Sequence, residues 1–191
     1  TIRLIYNGTT TDQTGTTTQI QTSTFNSSTD RSEYVGLKYT TEQQHGTETN
    51  STIATTLNTW YTRNLTSYAS LIDKNAGFCG DRNMASGYTW GSQPSSTIYY
   101  AAYGRLATNK SPSLECNDED LFTVTGANRG NKSLSNPIGL ITADEVAYAG
   151  GVNLVDNTYY YLYTGQQYWT MSPHSFLKVE FVRAYSLYLT E

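Results

Sequence analysis

The sequence predicts an α+β fold in which two helices pack with a small aromatic antiparallel sheet and long loops. Three observations favour this class: a helical apolar period over residues 50–72, a helix-start signature at Thr142, and short Tyr-rich runs in the last third of the chain. At 191 residues, with 37% of them hydrophobic, one domain with a buried core is the expected arrangement. We therefore expect residues 1–191 to form a single module.

The first predicted strand covers residues 2–6, because β-branched and apolar residues dominate this run and Asn7-Gly8 follows it as a turn. Residues 9–18 are rich in Thr, Gly and Gln and have no apolar period, so we expect an exposed hairpin or loop there. Residues 18–25 are predicted to form a second strand.

The first helix is predicted over residues 50–72, with Asn50 or Ser51 as its cap. Its apolar residues recur with the spacing of one helical face, at Ile53, Leu57, Trp60, Tyr61 and Leu65.

The second helix is predicted to begin at Thr142, since Thr142 and Glu145 have the spacing of a capping box, in which two side chains bind opposing backbone groups of the first turn. It should end at Gly150-Gly151, where the missing Cβ suits a left-handed cap.

Residues 73–137 carry both cysteines and three of the four prolines, and we expect this region to be long and irregular. After the second helix, strands are predicted over residues 159–163, 168–171 and 177–189, with Gly165-Gln166 turning the first pair.

Cys79 and Cys116 are the two cysteines, and a single disulfide is the economical interpretation because no His or Cys lies near either one at zinc-ligand spacing. Two separate buried thiols are the alternative. Only 15% of residues are charged whereas 31 are threonine, a composition commoner outside cells. We expect an extracellular or cell-surface location.

The charge pattern argues against nucleic-acid binding, since the twelve Lys and Arg residues are scattered along the chain and the net charge is −4. No run approaches the roughly 20 apolar residues of a membrane span, so we expect no membrane insertion by this segment, and the absence of an opening signal peptide indicates a processed or excised piece.

Few residues suggest catalysis. His45 lies in a polar loop and His174 could meet Ser175 or Glu180, but no nucleophile-elbow motif accompanies them, so we expect no enzyme activity and no cofactor. The run at residues 117–120 offers oxygens for Ca²⁺, although a solvated acidic loop is favoured over a metal site. Asp81-Arg82 is interpreted as a polar anchor rather than as an ion pair.

The tyrosines are the most suggestive feature, because Tyr and Trp supply the rigid amphipathic area used in carbohydrate stacking and in protein recognition. The alternative is that they pack one face of a sheet and leave the other face wet. The candidate aromatic binding surface consists of Tyr99, Tyr100, Tyr161, Tyr163, Tyr168 and Trp169.

Several motifs taken together resemble an uncharacterised family of secreted or surface modules of Gram-positive-type gut bacteria. These motifs are TIRLIYNG from Thr1, FCGDR from Phe78, IGLITADEV from Ile138, YLYTG from Tyr161 and WTMSP from Trp169. The resemblance implies an extracellular setting and a fold similar to C-type lectins and formylglycine-generating enzymes. The chain lacks the family's usual first and closing strands, so it resembles a module truncated or altered at both ends. The oxidase chemistry of the enzymes is not transferred, because Cys79 and Cys116 lie in the loop region.

The leading functional hypothesis is a non-enzymatic structural or adhesion module of a bacterial surface protein or fibre. The alternative is a lectin-like domain that binds a carbohydrate or a protein. The expected partners are neighbouring copies or domains of the same protein, together with a glycan or a host surface protein. Pairing of the edge strands at residues 2–6 and 177–189 with a neighbouring copy is a further expectation.

Overall fold

The computed structural model describes residues 4–9, 14–25, 49–88, 97–126, 129–151, 157–177 and 181–184. Within these residues, α-helices alternate with short antiparallel strands, which confirms the α+β class.

Helix α1 covers Thr52–Asn64 and begins where the sequence indicates, because Ser51 Oγ accepts a hydrogen bond from the Ala54 amide at 3.3 Å. Its buried face includes Ile53, Leu57 and Tyr61. The helix ends eight residues before the predicted boundary and continues as a 3₁₀ turn over Thr66–Tyr68. Polar side chains promote this ending, since the side-chain amide of Asn64 and the hydroxyl of Thr66 bind carbonyls of the last turns.

Helix α2, Ala101–Tyr103, continues into a π-helical turn over Gly104–Thr108 within the region predicted to be irregular. Helix α3 covers Ala143–Tyr148 and confirms the capping box. The Glu145 amide donates to Thr142 Oγ1 at 3.1 Å, and the Thr142 amide donates to Glu145 Oε2 at 2.9 Å.

Two small antiparallel sheets complete the described fold. Strand β1, Phe78–Cys79, pairs with β3, Leu121–Phe122. Strand β4, Pro173–Leu177, lies between β2, Ile98–Tyr99, and β5, Phe181–Ala184.

The predicted strands are largely wrong where the structure describes them. Residues 4–6 are irregular and leave Leu4 80% and Ile5 45% exposed, while residues 1–3 lie outside the described residues. Residues 18–25 follow a 3₁₀ turn and form no strand. Residues 159–163 and 168–171 form turns and irregular chain. Strand formation depends on a pairing partner, and a local run with strand-forming composition does not specify one.

The C-terminal prediction is partly correct. The run predicted over residues 177–189 contains β5, Phe181–Ala184, and its first residue closes β4. Residues 178–180 and 185–189 of that run lie outside the described residues.

The main core joins the segment around Phe25 to the segment around Met171. Its buried side chains come from many elements and comprise Phe25, Ile53, Ala54, Leu57, Phe122, Leu134 and Met171. Trp169 packs edge-on against Phe25 at 5.7 Å between ring centroids, and its Nε1 donates to the carbonyl of Ser23 at 2.9 Å. A second cluster, formed by Val146, Tyr160 and Leu162, lies against α3. The two clusters place α3 and the segment around residue 170 side by side.

Candidate functional site

A disulfide between Cys79 and Cys116 confirms the predicted pairing. The two Cα atoms are 5.9 Å apart, and the bond joins β1 to the irregular segment at residues 111–117. It links positions 37 residues apart, so it fixes one end of a long loop onto the small β1–β3 sheet.

Asp81 and Arg82 follow β1, and their side chains bind different partners. Asp81 is 7% exposed and has a φ of 47°, a left-handed conformation that non-glycine residues adopt at an energetic cost. Arg82 Nε donates to Asp120 Oδ1 at 2.6 Å, and its guanidinium lies 5.7 Å from the centre of the Phe122 ring. The two residues therefore anchor the chain after β1 to two separate partners.

The partner of Asp81 is Arg105, in the π-helical turn. Arg105 Nη2 donates to Asp81 Oδ1 at 2.7 Å and to Asp144 Oδ2 at 2.6 Å, and its Nε donates to Asp144 Oδ1 at 2.8 Å. The hydroxyl of Ser172 donates to Asp81 Oδ2 and accepts from the Ala143 amide at 3.0 Å. We name Asp81, Arg105, Asp144 and Ser172 the Arg105 network.

The Arg105 network is buried and strongly paired. Asp144 is 1% exposed and Ser172 is fully buried, and Asp144 Oδ1 also accepts from the Ser113 amide at 2.7 Å. Burial raises the pKa of Asp81, although Arg105 and Ser172 act in the opposite direction. The hydrogen bond to Asp144 raises the pKa of Arg105, burial acts in the opposite direction, and the attraction of Asp81 adds to the increase, so the guanidinium stays charged. Since Ser172 is inaccessible, this geometry positions segments of the fold rather than presenting a nucleophile.

An open cleft lies beside the network, and Arg105 contributes to its lining with 24% of its side chain exposed. Two largely exposed apolar side chains border it, Leu114 at 63% and Tyr148 at 59%. The Tyr148 hydroxyl donates to the carbonyl of Pro112 at 3.0 Å, which connects α3 to the segment held by the disulfide.

The six residues of the predicted aromatic surface do not form one exposed face. Tyr100 is completely buried, so its assignment to a binding surface is wrong; its side chain packs in the interior. Tyr99 is half-buried and stacks on Tyr103 with 4.0 Å between ring centroids, and His174 packs edge-on against both rings.

The other four aromatic residues also have different surroundings. Tyr161 is 66% exposed, whereas Tyr163 is half-buried and packs edge-on against Tyr160. The hydroxyls of Tyr168 and Tyr160 lie 3.2 Å apart, and burial, followed by this hydrogen bond, raises the pKa of Tyr168. Trp169 packs against the main core. Of the six residues, only Tyr161 has the exposure that a stacking platform needs.

His174 and the acidic run also have structural contacts. His174 Nδ1 lies 2.7 Å from Ser175 Oγ, which is one of the two contacts that the sequence suggested for His174. His45 and Glu180 lie outside the described residues. Asp118 pairs with Arg129 and Asp120 pairs with Arg82. In the part of the chain that the structure describes, no group of three or more His, Cys, Asp or Glu side chains converges as a metal site would.

Sequence reasoning missed Arg105 and Ser172 and saw Asp144 only as part of a capping motif. The carboxylates that bind the Arg105 side chain, those of Asp81 and Asp144, lie 24 and 39 residues away along the chain, so no local pattern marks it. The one available signal was the concentration of acidic residues at the start of α3, which attracts a cation.

No helix among the described residues has the length and apolar character needed to cross a bilayer. Comparisons with protein-family models, with curated proteins and with solved structures found no match to this chain.

Proposed function

We propose that this chain is a non-enzymatic extracellular module with a structural or adhesive role in a bacterial surface protein or fibre. The observation that carries the proposal is the Arg105 network, whose convergent charged groups bind one another inside the fold. Catalytic sites instead keep an acid, base or nucleophile accessible to a substrate. Here Ser172 and Asp144 are almost wholly inaccessible.

The cross-links have the distribution expected of a mechanical scaffold. The strands among the described residues are short, and the longest of them has five residues. In addition to the hydrophobic core, fixed points such as the Arg105 network, the Arg82–Asp120 ion pair and the Cys79–Cys116 disulfide hold these segments in place. These contacts tie loop segments to the sheets, which suits a module that keeps its shape outside the cell.

The extracellular location rests on the disulfide and on composition. Structural disulfides persist in oxidising compartments and are rare in reducing ones. A chain with only 15% charged residues and a hydroxyl-rich surface fits the same setting.

The finer fold assignment, a C-type-lectin-like arrangement, is also a proposal. It is supported by the combination of α1, α3, small antiparallel sheets and a long loop region held by one disulfide. The order of strands β2, β4 and β5 supports it further, as does the contact between Ser23 and Trp169.

Neighbouring copies are the proposed structural partners. Leu4 and Ile5 are exposed apolar residues in a stretch with strand-forming composition, and Tyr6 contacts Trp60 edge-on at 5.4 Å. Such a segment can pair with the sheet edge of another copy, as in β-strand addition.

The test combines self-association with adhesion. We expect sedimentation at high micromolar concentration to show association that weakens in Leu4→Lys, with Leu71→Lys as a matched control, since Leu71 is also largely exposed, at 82%. We also expect beads coated with the module to bind epithelial cells or mucus. A monomeric protein whose beads bind nothing would contradict the proposal, as would turnover of a peptide, ester or glycoside substrate that is lost in His174→Ala.

A lectin-like binding domain is the second candidate, and the cleft beside Arg105 is the observation that favours it. Concave sites with a few fixed polar groups and an exposed aromatic ring are typical of ligand binding.

A further inference from the structure

We infer that the cleft beside the Arg105 network binds an uncharged oligosaccharide. The inference rests on the second candidate function above, the lectin-like binding domain, and names its ligand. Three properties of the cleft support it: an unused edge of a rigid guanidinium, an exposed tyrosine ring of fixed position, and a charge balance that disfavours anions.

The first property concerns Arg105. Asp144 and Asp81 use Nε and Nη2 of its guanidinium, and within the described residues Nη1 makes no hydrogen bond. The side chain is 24% exposed and lines the cleft. Because two carboxylates fix the guanidinium plane, its two Nη1 hydrogens can donate to hydroxyl oxygens with little loss of conformational entropy.

The second property is an aromatic wall. Tyr148 lines the cleft and is 59% exposed, and its hydrogen bond to the Pro112 carbonyl restrains the ring. A restrained tyrosine offers flat apolar area to the C–H face of a pyranose ring. Leu114, which belongs to the disulfide-held segment at residues 111–117, adds further exposed apolar area.

The third property is charge. The lining includes four carboxylates, those of Asp81, Asp144, Glu115 and Glu145, and two guanidiniums, those of Arg105 and Arg129. This excess of negative charge repels an anionic ligand such as a sialylated or sulfated sugar.

The same carboxylates offer little to a cation. Asp144 and Asp81 are buried and their four oxygens already accept hydrogen bonds. One oxygen of Glu145 caps α3. Glu115 is the exposed one of these four carboxylates. A neutral ligand that both accepts from Arg105 and donates to Glu115 matches this set, and hydroxyl groups do both.

The test uses a panel of neutral trisaccharides based on glucose, galactose, mannose and N-acetylglucosamine, with sialyllactose and trilysine as charged comparisons. Binding to the intact, oxidised chain is measured by saturation-transfer NMR and by titration calorimetry. We expect at least one neutral trisaccharide to bind and both charged probes to bind more weakly. Tyr148→Ala should weaken binding by roughly tenfold or more, because the stacking area is lost.

Two controls separate stacking from folding. Tyr148→Phe keeps the ring and loses the bond to Pro112, so binding should weaken less than in Tyr148→Ala, because the stacking area remains although its restraint is lost. Tyr159→Ala removes a 97% exposed ring that does not line the cleft and should leave binding unchanged. Circular dichroism checks that each variant is folded.

Three outcomes overturn the inference: no neutral trisaccharide binds, trilysine binds in preference, or binding falls in Tyr159→Ala and not in Tyr148→Ala. Beads that still adhere in any of these cases show that the proposed function survives without the sugar site. Loss of both bead adhesion and self-association would instead reject the proposed function itself.

Discussion

Arg105 binds both carboxylate oxygens of Asp144, with Nε donating to Oδ1 at 2.8 Å and Nη2 donating to Oδ2 at 2.6 Å. Such two-point pairing fixes the plane of the guanidinium as well as its distance. The pair joins the π-helical turn to α3 across 39 residues of sequence, at a carboxylate that is 1% exposed.

Removing Arg105 should destabilise the fold strongly. In Arg105→Ala, two buried carboxylates lose their counter-charge, and we expect the free energy of unfolding to fall by about 3 kcal/mol or more. Arg129→Ala is the matched control, because its ion pair with Asp118 is more than half exposed at both side chains and should contribute less than about 1 kcal/mol. Urea unfolding followed by fluorescence measures both values. Equal losses in the two variants would contradict the central role of Arg105.

The titration of Asp81 should make stability fall with rising pH. Burial raises the pKa of Asp81 above its ordinary value of 3.8, so the folded chain binds this proton more tightly than the unfolded chain does. Just above pH 3.8 the folded chain still holds the proton on Asp81, whereas the unfolded chain has released it. The free energy of unfolding therefore decreases as the pH rises through the raised pKa. Asp81→Asn removes this titration. Relative to that variant, the wild type should lose stability from about pH 4 upward, as measured by urea unfolding at several pH values. A relative gain, or parallel curves, would contradict the assignment.

Reduction of the Cys79–Cys116 disulfide should lower the stability by about 4 kcal/mol, since the bond closes a loop of 37 residues and restricts the unfolded chain. Thermal unfolding with and without reductant measures the change, and the double variant Cys79→Ser, Cys116→Ser should behave like the reduced protein. Mass spectrometry of the non-reduced protein should recover a peptide pair that contains both cysteines. Recovery of free thiols would remove the main support for the extracellular location.

Two glycines should respond oppositely to alanine. A Cβ on Gly139 would lie 2.5 Å from Cγ of Phe78, so Gly139→Ala must displace the ring on β1 and should cost about 1–3 kcal/mol. Gly104 has a helical φ of −59° and nothing within 4 Å of an added Cβ, so Gly104→Ala should stabilise by up to about 1 kcal/mol. The difference between their urea midpoints is the measurement. A Gly139→Ala protein as stable as wild type would show that the packing against Phe78 is looser than described.

The sequence predicts the features that depend on residues close together along the chain and misses those that depend on distant residues. The start of α1 at Ser51 and the capping box at Thr142 depend on residues within one helical turn, and both predictions are confirmed. The strands depend on distant partners: Ile98 pairs with Phe176, 78 positions later, and no local pattern announces that register. The Arg105 network could not be predicted from the sequence for the same reason, because Asp81 and Ser172 are separated by 91 residues.

The aromatic residues show a second limit of local patterns. Tyr100 and Tyr161 stand in similar Tyr-rich runs, yet the first is fully buried and the second is 66% exposed. Tyrosine suits both environments because it combines a large apolar ring with a polar tip. Composition therefore indicated an aromatic-rich protein, whereas the three-dimensional packing decides which rings are accessible.

The contact between Trp169 and Ser23 has a consequence for biosynthesis. The Trp169 indole donates to the Ser23 carbonyl across 146 residues, and the Gly15 amide likewise donates to the Thr164 carbonyl at 2.7 Å. During synthesis from the amino terminus, Ser23 emerges long before the residue that secures it, so the core around Phe25 stays open until most of the chain has been made. Closure of this core is therefore a late folding step, because it requires the chain to be complete through Trp169.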